Sequence, residues 1–147
     1  MEIIKIPKLT YSVDGEWLVC NGERVLWCPG ASAEEMEAIR DQYQRQADEA
    51  YQVGMELYKQ NLRQSLLTQL KEKVTQMLSE TDWVVIKLQS MKEEGWSEAE
   101  IENEKQKYVK ILAQRKAIRE WNLKMKQIIQ NAQTVEELEG IKIEFTE

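Results

Sequence analysis

The chain has 147 residues, 42% of them hydrophobic and 31% charged, with a formal net charge of -6. This length supports one moderate core, and the balance of residue types is that of an ordinary folded protein rather than a linker-rich or disordered one. The negative charge opposes binding to phosphate backbones, and the complete absence of histidine removes the commonest general base and the commonest metal ligand. Nucleic-acid binding, metal binding and catalysis are therefore all disfavoured, and no cofactor is expected.

Even the most hydrophobic stretch, VVIKL from Val84 to Leu88, is interrupted by Lys87, so no membrane span is expected. The start, MEIIKIPK, lacks the charged, apolar and small-residue regions of a signal peptide, which predicts synthesis in the cytosol. Cys20 and Cys28 form no CxxC pair and are expected as free thiols.

Residues 1–30 read as a β segment. Asp14-Gly15 and Asn21-Gly22 separate the runs LTYSV, EWLVC and ERVLW. Both dipeptides suit tight hairpin turns, so a three-stranded antiparallel meander follows, with Trp17 and Trp27 packed across it. The earlier run EIIKI is expected to add a strand that ends at Pro7.

From residue 31 to 147 the pattern is helical. Ser32 and Glu35 have capping-box spacing, and apolar residues then recur at steps of three and four through Leu78, which predicts one long helix. A strict heptad fails near Gln60 and Gln64. An 11-residue spacing through Met36, Ala47 and Tyr58 fits better and implies straight or slightly right-handed packing. The polar cluster SETD then interrupts the pattern, so an elbow is expected near residues 79–96, with Thr81 or Asp82 as N-cap and a short helix ending before Gly95. The β-branched Val84, Val85 and Ile86 keep a strand open as the alternative.

Ser97 and Glu100 form a second capping box, opening a second long helix expected to reach about Ala132 without a break. The carboxylates at its start and the lysines and arginines after it suit the helix dipole and a solvated surface better than a metal or a nucleic acid. Thr134 and Glu137 cap one or two further turns, Gly140 stops them, and IKIEF alternates as a final strand over 141–145. The fold class is thus mainly α, with a small N-terminal antiparallel meander, two long amphipathic helices joined by a short helical elbow, and a short C-terminal helix and strand. Trp121 is expected in the helical core, whereas Trp83 and Trp96 fall at helix boundaries. Packing inside the elbow is the first expectation for that pair and contact with a partner the second.

The stretch LRQSLLTQLKEKVTQMLSETDWVVIKL, followed by YVKILAQRKAIREW and TVEELEGI, resembles the C-terminal segment of tail-fibre assembly proteins and tail assembly chaperones of tailed bacteriophages. The resemblance covers roughly residues 62 to 140 and rests on short motifs. Thr81, Asp82 and Trp83 match a Thr-Asp-Trp signature at the end of a helix, and Arg115, Ile118 and Arg119 match an Arg-x-x-Leu/Ile-Arg element. The chain departs from the pattern at Gln114 and in the connector KEEGWSEAE.

The resemblance implies a non-catalytic phage protein that binds tail-fibre or tail subunits during assembly in the host cytoplasm. The alternative is a permanent virion component, oligomeric through its long helices. A third reading is a small protein that binds a host enzyme. The residues expected to form the elbow or bind the partner are Thr81, Asp82, Trp83, Trp96, Arg115 and Arg119, with the two arginines bonding carboxylates or helix-end carbonyls.

Overall fold

A computed structural model describes residues 4–146. The meander forms as β1 (Tyr11–Asp14), β2 (Trp17–Cys20) and β3 (Glu23–Trp27), antiparallel in the order β1-β2-β3. Gly15, Asn21 and Gly22 take positive φ at the two turns, the backbone that two-residue hairpin loops require. Trp17 pairs with Trp27 and their rings stack with centroids 6.3 Å apart. Cys20 faces Tyr11 and Glu23 rather than Cys28, and both thiols are free. The extra strand expected from EIIKI lies partly outside the described residues, and from Ile4 to Thr10 the chain is not a strand.

Five helices follow among the described residues: α1 (Ala33–Ser79), α2 (Asp82–Glu93), α3 (Glu98–Gln106), α4 (Val109–Asn131) and α5 (Val135–Glu139). The first capping box is reciprocal: Glu35 N donates to Ser32 Oγ at 3.1 Å and Ser32 N to Glu35 Oε1 at 3.4 Å. Ser97 and Thr134 cap α3 and α5 through the amides of Glu100 and Glu137. The β-branched run becomes helix α2, with Val84 fully buried. The alternative strand therefore does not form. Gly95, at φ +85, ends α2: Trp96 N donates to Met91 O and Gly95 N to Lys92 O, a Schellman stop that only a residue tolerant of left-handed backbone supplies cheaply.

Two expectations are corrected. The second long helix is broken at Lys107 and Tyr108, whose amides bond the carbonyls three residues back, at Glu104 and Lys105. This tighter turn ends α3, and Tyr108 becomes the N-cap of α4. The final strand does not form either. Residues 141–146 form no strand, yet Ile141, Ile143 and Phe145 pack against the helical core. The alternation marks an apolar edge of an extended segment, not a place in a sheet.

The sequence suggested a division at residue 30, where the period changes. By packing, the chain falls into two compact units, one up to Asn61 and one from Leu62 on, with α1 contributing to both. In the first unit Leu18 of β2 and Met36 of α1 are buried. Gln44 of α1 accepts from Tyr11 N and donates to Leu9 O. A Cβ at Gly54 would meet the Ile6 side chain, so that glycine permits close approach. In the second unit Leu66, Leu70 and Val74 of α1 pack with Ile118, Met125 and Ile129 of α4 and Leu138 of α5. Among the described residues no helix is long and apolar enough to cross a membrane.

Candidate functional site

The end of α1 leaves carbonyls with no partner inside the helix and a partial negative charge, and its last turn carries no basic residue. Arg115 of α4 meets both needs. Its Nη1 donates to Leu78 O at 2.7 Å and to Thr81 Oγ1 at 2.8 Å, and its Nη2 donates to Asp82 Oδ1 at 3.0 Å. Arg115 is 5% exposed, the one buried charged side chain among the described residues. A planar guanidinium can span these three acceptors where an ammonium cannot. Thr81 is the N-cap of α2 but spends its hydroxyl on Arg115 and Leu78 O instead of on the helix amides.

The same exchange runs in the opposite direction. The last turn of α4 also lacks a basic residue, and Arg63 of α1 donates to Ala132 O at 2.7 Å and Ile129 O at 3.4 Å. The two helices are antiparallel, and each supplies the cation that closes the other's C-terminal end. Residue spacing alone carried no signal for Arg63, because its role depends on which helix end lies beside it.

Trp83 is not packed inside the elbow as first expected. It is 52% exposed and meets Tyr108 edge to face at 5.5 Å. Tyr108 accepts from Lys87 Nζ at 2.9 Å and donates to Glu104 Oε1 at 3.3 Å, and Glu104 pairs with Lys87 at 2.7 Å and with Lys107 at 2.9 Å. The hydrogen bond from Lys87, followed by that from Lys107, lowers the Glu104 carboxyl from its ordinary 4.5 to about 2. Glu104 and then Tyr108 raise the Lys87 ammonium well above its ordinary value. This cluster links α2 to α3 and holds the ring that supports Trp83. Lys87, Glu104 and Tyr108 were not among the residues the sequence singled out; the lysine and glutamate lie on different helices, so no spacing rule joins them.

Of the remaining predicted residues, Trp96 stays about half exposed and donates from Nε1 to Glu94 Oε2 at 3.0 Å. Arg119 is exposed and bonds no carboxylate or carbonyl among the described residues, in contrast to its expected bracing role. Thr81, Asp82 and Arg115 thus form one hydrogen-bonded knot, Trp83 stands beside it on the surface, and Trp96 and Arg119 lie outside it. The arrangement fixes the angle of the elbow and presents an aromatic side chain to solvent; such rigid, partly apolar groups are typical anchors for protein partners. No protein-family model, curated protein or solved structure matches the chain significantly.

Proposed function

We propose that this chain is a non-enzymatic bacteriophage tail-assembly protein that holds a tail-fibre or tail subunit through the elbow. The observation that carries the reading is the knot itself. Arg115 is distant in sequence from the neighbours Thr81 and Asp82, all three are among the positions on which the resemblance to tail assembly chaperones rests, and the Arg115 guanidinium bonds Leu78 O, Thr81 and Asp82, each within 3.0 Å. Beside them Trp83 offers an exposed, braced ring, the kind of group that buries well in a partner's pocket at small entropic cost. The chain has no histidine, which leaves binding as the simpler role.

A photo-reactive residue placed at Trp83 in cells producing the phage tests the proposal. The expected adduct is a tail-fibre or tail subunit. An adduct with a host enzyme alone, or none above the level of an equally exposed control position, overturns it. Mass spectrometry of purified particles then separates an assembly factor that departs, absent from virions, from a permanent virion component present at stoichiometric level.

A further inference from the structure

Up to Asn61, α1 carries two apolar lines on adjoining faces. The first contains Met36, Ala47, Gly54 and Tyr58, and the N-terminal segment covers it: Met36 and Gly54 are buried, Ile6 meets Gly54, and Gln44 bonds Leu9 O and Tyr11 N. The second runs beside it through Ile39, Tyr43, Gln46, Ala50, Val53 and Leu57, its steps alternating four and three, which is a strict heptad. Ile39 is half-buried, and Tyr43 meets Tyr11 at the border between the lines. The rest is open: Gln46 and Ala50 are exposed, Val53 at 71% and Leu57 at 56%.

Every charged residue between Glu37 and Lys59 falls off this second line, in a chain that is 31% charged. A face meant for water has no reason to exclude them, whereas a packed seam does. The unit to which it belongs is also short of core. Among the described residues up to Asn61, Leu18 and Met36 are the buried large hydrophobics, whereas Leu26, Trp27, Tyr43, Val53 and Leu57 stay exposed. A small sheet and one helix need more burial than that to be stable alone.

We infer that this line is the seam of a parallel coiled coil formed with a second copy of this chain. The heptad period selects a helix as occupant, because only a helix of the same period fills the holes along the whole seam. In parallel register each layer meets its own counterpart. Val53 packs on Val53 and Leu57 on Leu57, and Gln46 faces Gln46, so that each amide donates to the other. The flanking positions agree: Glu35 comes opposite Arg40 of the second copy, and Glu49 and Glu56 come opposite Gly54 and Asn61, so no like charges meet. An antiparallel pair would set Glu49 against Glu56 and seat Gln46 on Leu57, which leaves that amide unpaired. Gln60 and Gln64 continue the heptad without apolar side chains, so the seam is short, the association is weak, and the dilute chain is a monomer. The inference does not rest on the subunit that Trp83 meets, so the two can fail separately.

Sedimentation equilibrium of the full chain from about 1 μM to about 1 mM tests it. The mass is expected to rise from one chain to a whole multiple, while the amides of residues 39–57 gain protection from exchange. Val53→Glu and Leu57→Glu place like charges in facing layers and should each weaken the association about tenfold or more, with circular dichroism and melting of the dilute chain unchanged. Gln52→Glu, exposed on another face of α1, should leave it intact. Gln46→Cys in a Cys20→Ser/Cys28→Ser background should cross-link two copies on oxidation, since antiparallel pairing would hold the two sulfurs about 16 Å apart along the axis. A chain that stays monomeric throughout, an association insensitive to the Val53 and Leu57 variants or equally sensitive to Gln52→Glu, or the absence of a cross-link overturns the inference. So does a loss seen only in variants whose dilute form melts below wild type.

Discussion

At the scale of single residues, the two arginines exchanged between α1 and α4 do more than ordinary ion pairs. Removing Arg115 leaves Leu78 O and the Thr81 hydroxyl without their strongest donor, at about 1–3 kcal/mol for the orphaned groups. Asp82 is half exposed, so water recovers most of its share and the ion pair itself adds little. Arg115→Met should therefore cost about 2 kcal/mol in urea unfolding. Arg115→Lys should rescue little of it, because one ammonium does not reach all three acceptors; full rescue would mean that charge alone matters. Trp83→Ala belongs to a different class. A buried tryptophan would cost roughly 3–5 kcal/mol, but a half-exposed ring with one edge contact should cost about 1 kcal/mol. A near-wild-type melting temperature with lost partner binding is the expected outcome, and a large drop would put the ring back in the core.

At the scale of elements, the ends of the helices are where local sequence spoke most clearly. Ser32, Ser97 and Thr134 all cap through the amide three residues on, a contact that depends only on neighbours in the chain. Gly95→Ala should destabilise by about 1 kcal/mol, since no atom lies within 4 Å of the added Cβ and the left-handed φ of +85 is the whole cost. A thermal shift with unchanged binding checks it. The break before α4 was not legible, because nothing in EKQKYV forbids a continuous helix; α3 and α4 are turned apart by the contacts Tyr108 makes with Trp83, Lys87 and Glu104. The 141–145 run was misread for a related reason: alternation reports which side is buried, and only a neighbouring strand makes it a sheet. The Glu104 cluster has its own signature. Its carboxyl is held at about 2 against an ordinary 4.5, so its contribution is complete above the ordinary value and is lost as pH falls through the folded one. Titration of the Glu104 side-chain carbon by NMR should show a midpoint near 2. A midpoint near 4.5 would mean the cluster is not formed in solution.

At the scale of the whole molecule, the meander, the long first helix and the elbow were readable from period and turn residues, whereas the break in the second helical stretch and the packing units were not. The change from strand to helix falls near residue 30, yet compactness divides the chain after Asn61, inside an unbroken helix. Helical period is blind to which stretch of a helix finds partners. The first unit rests on a thin core around Leu18 and Met36, and the second on the larger cluster that includes Leu70, Ile129 and Leu138. A three-stranded sheet with so little buried against it is only marginally stable. Amides of β1 to β3 and of residues 33–61 should therefore exchange with solvent faster than those of α4. Leu138 is fully buried, and Leu138→Ala should cost roughly 2–5 kcal/mol. If the units open separately, that variant lowers protection in α4 and in residues 62–79 of α1 while the sheet amides keep their wild-type rates. An equal drop in the sheet would show instead that α1 transmits the loss along its length and that the chain unfolds as one cooperative body.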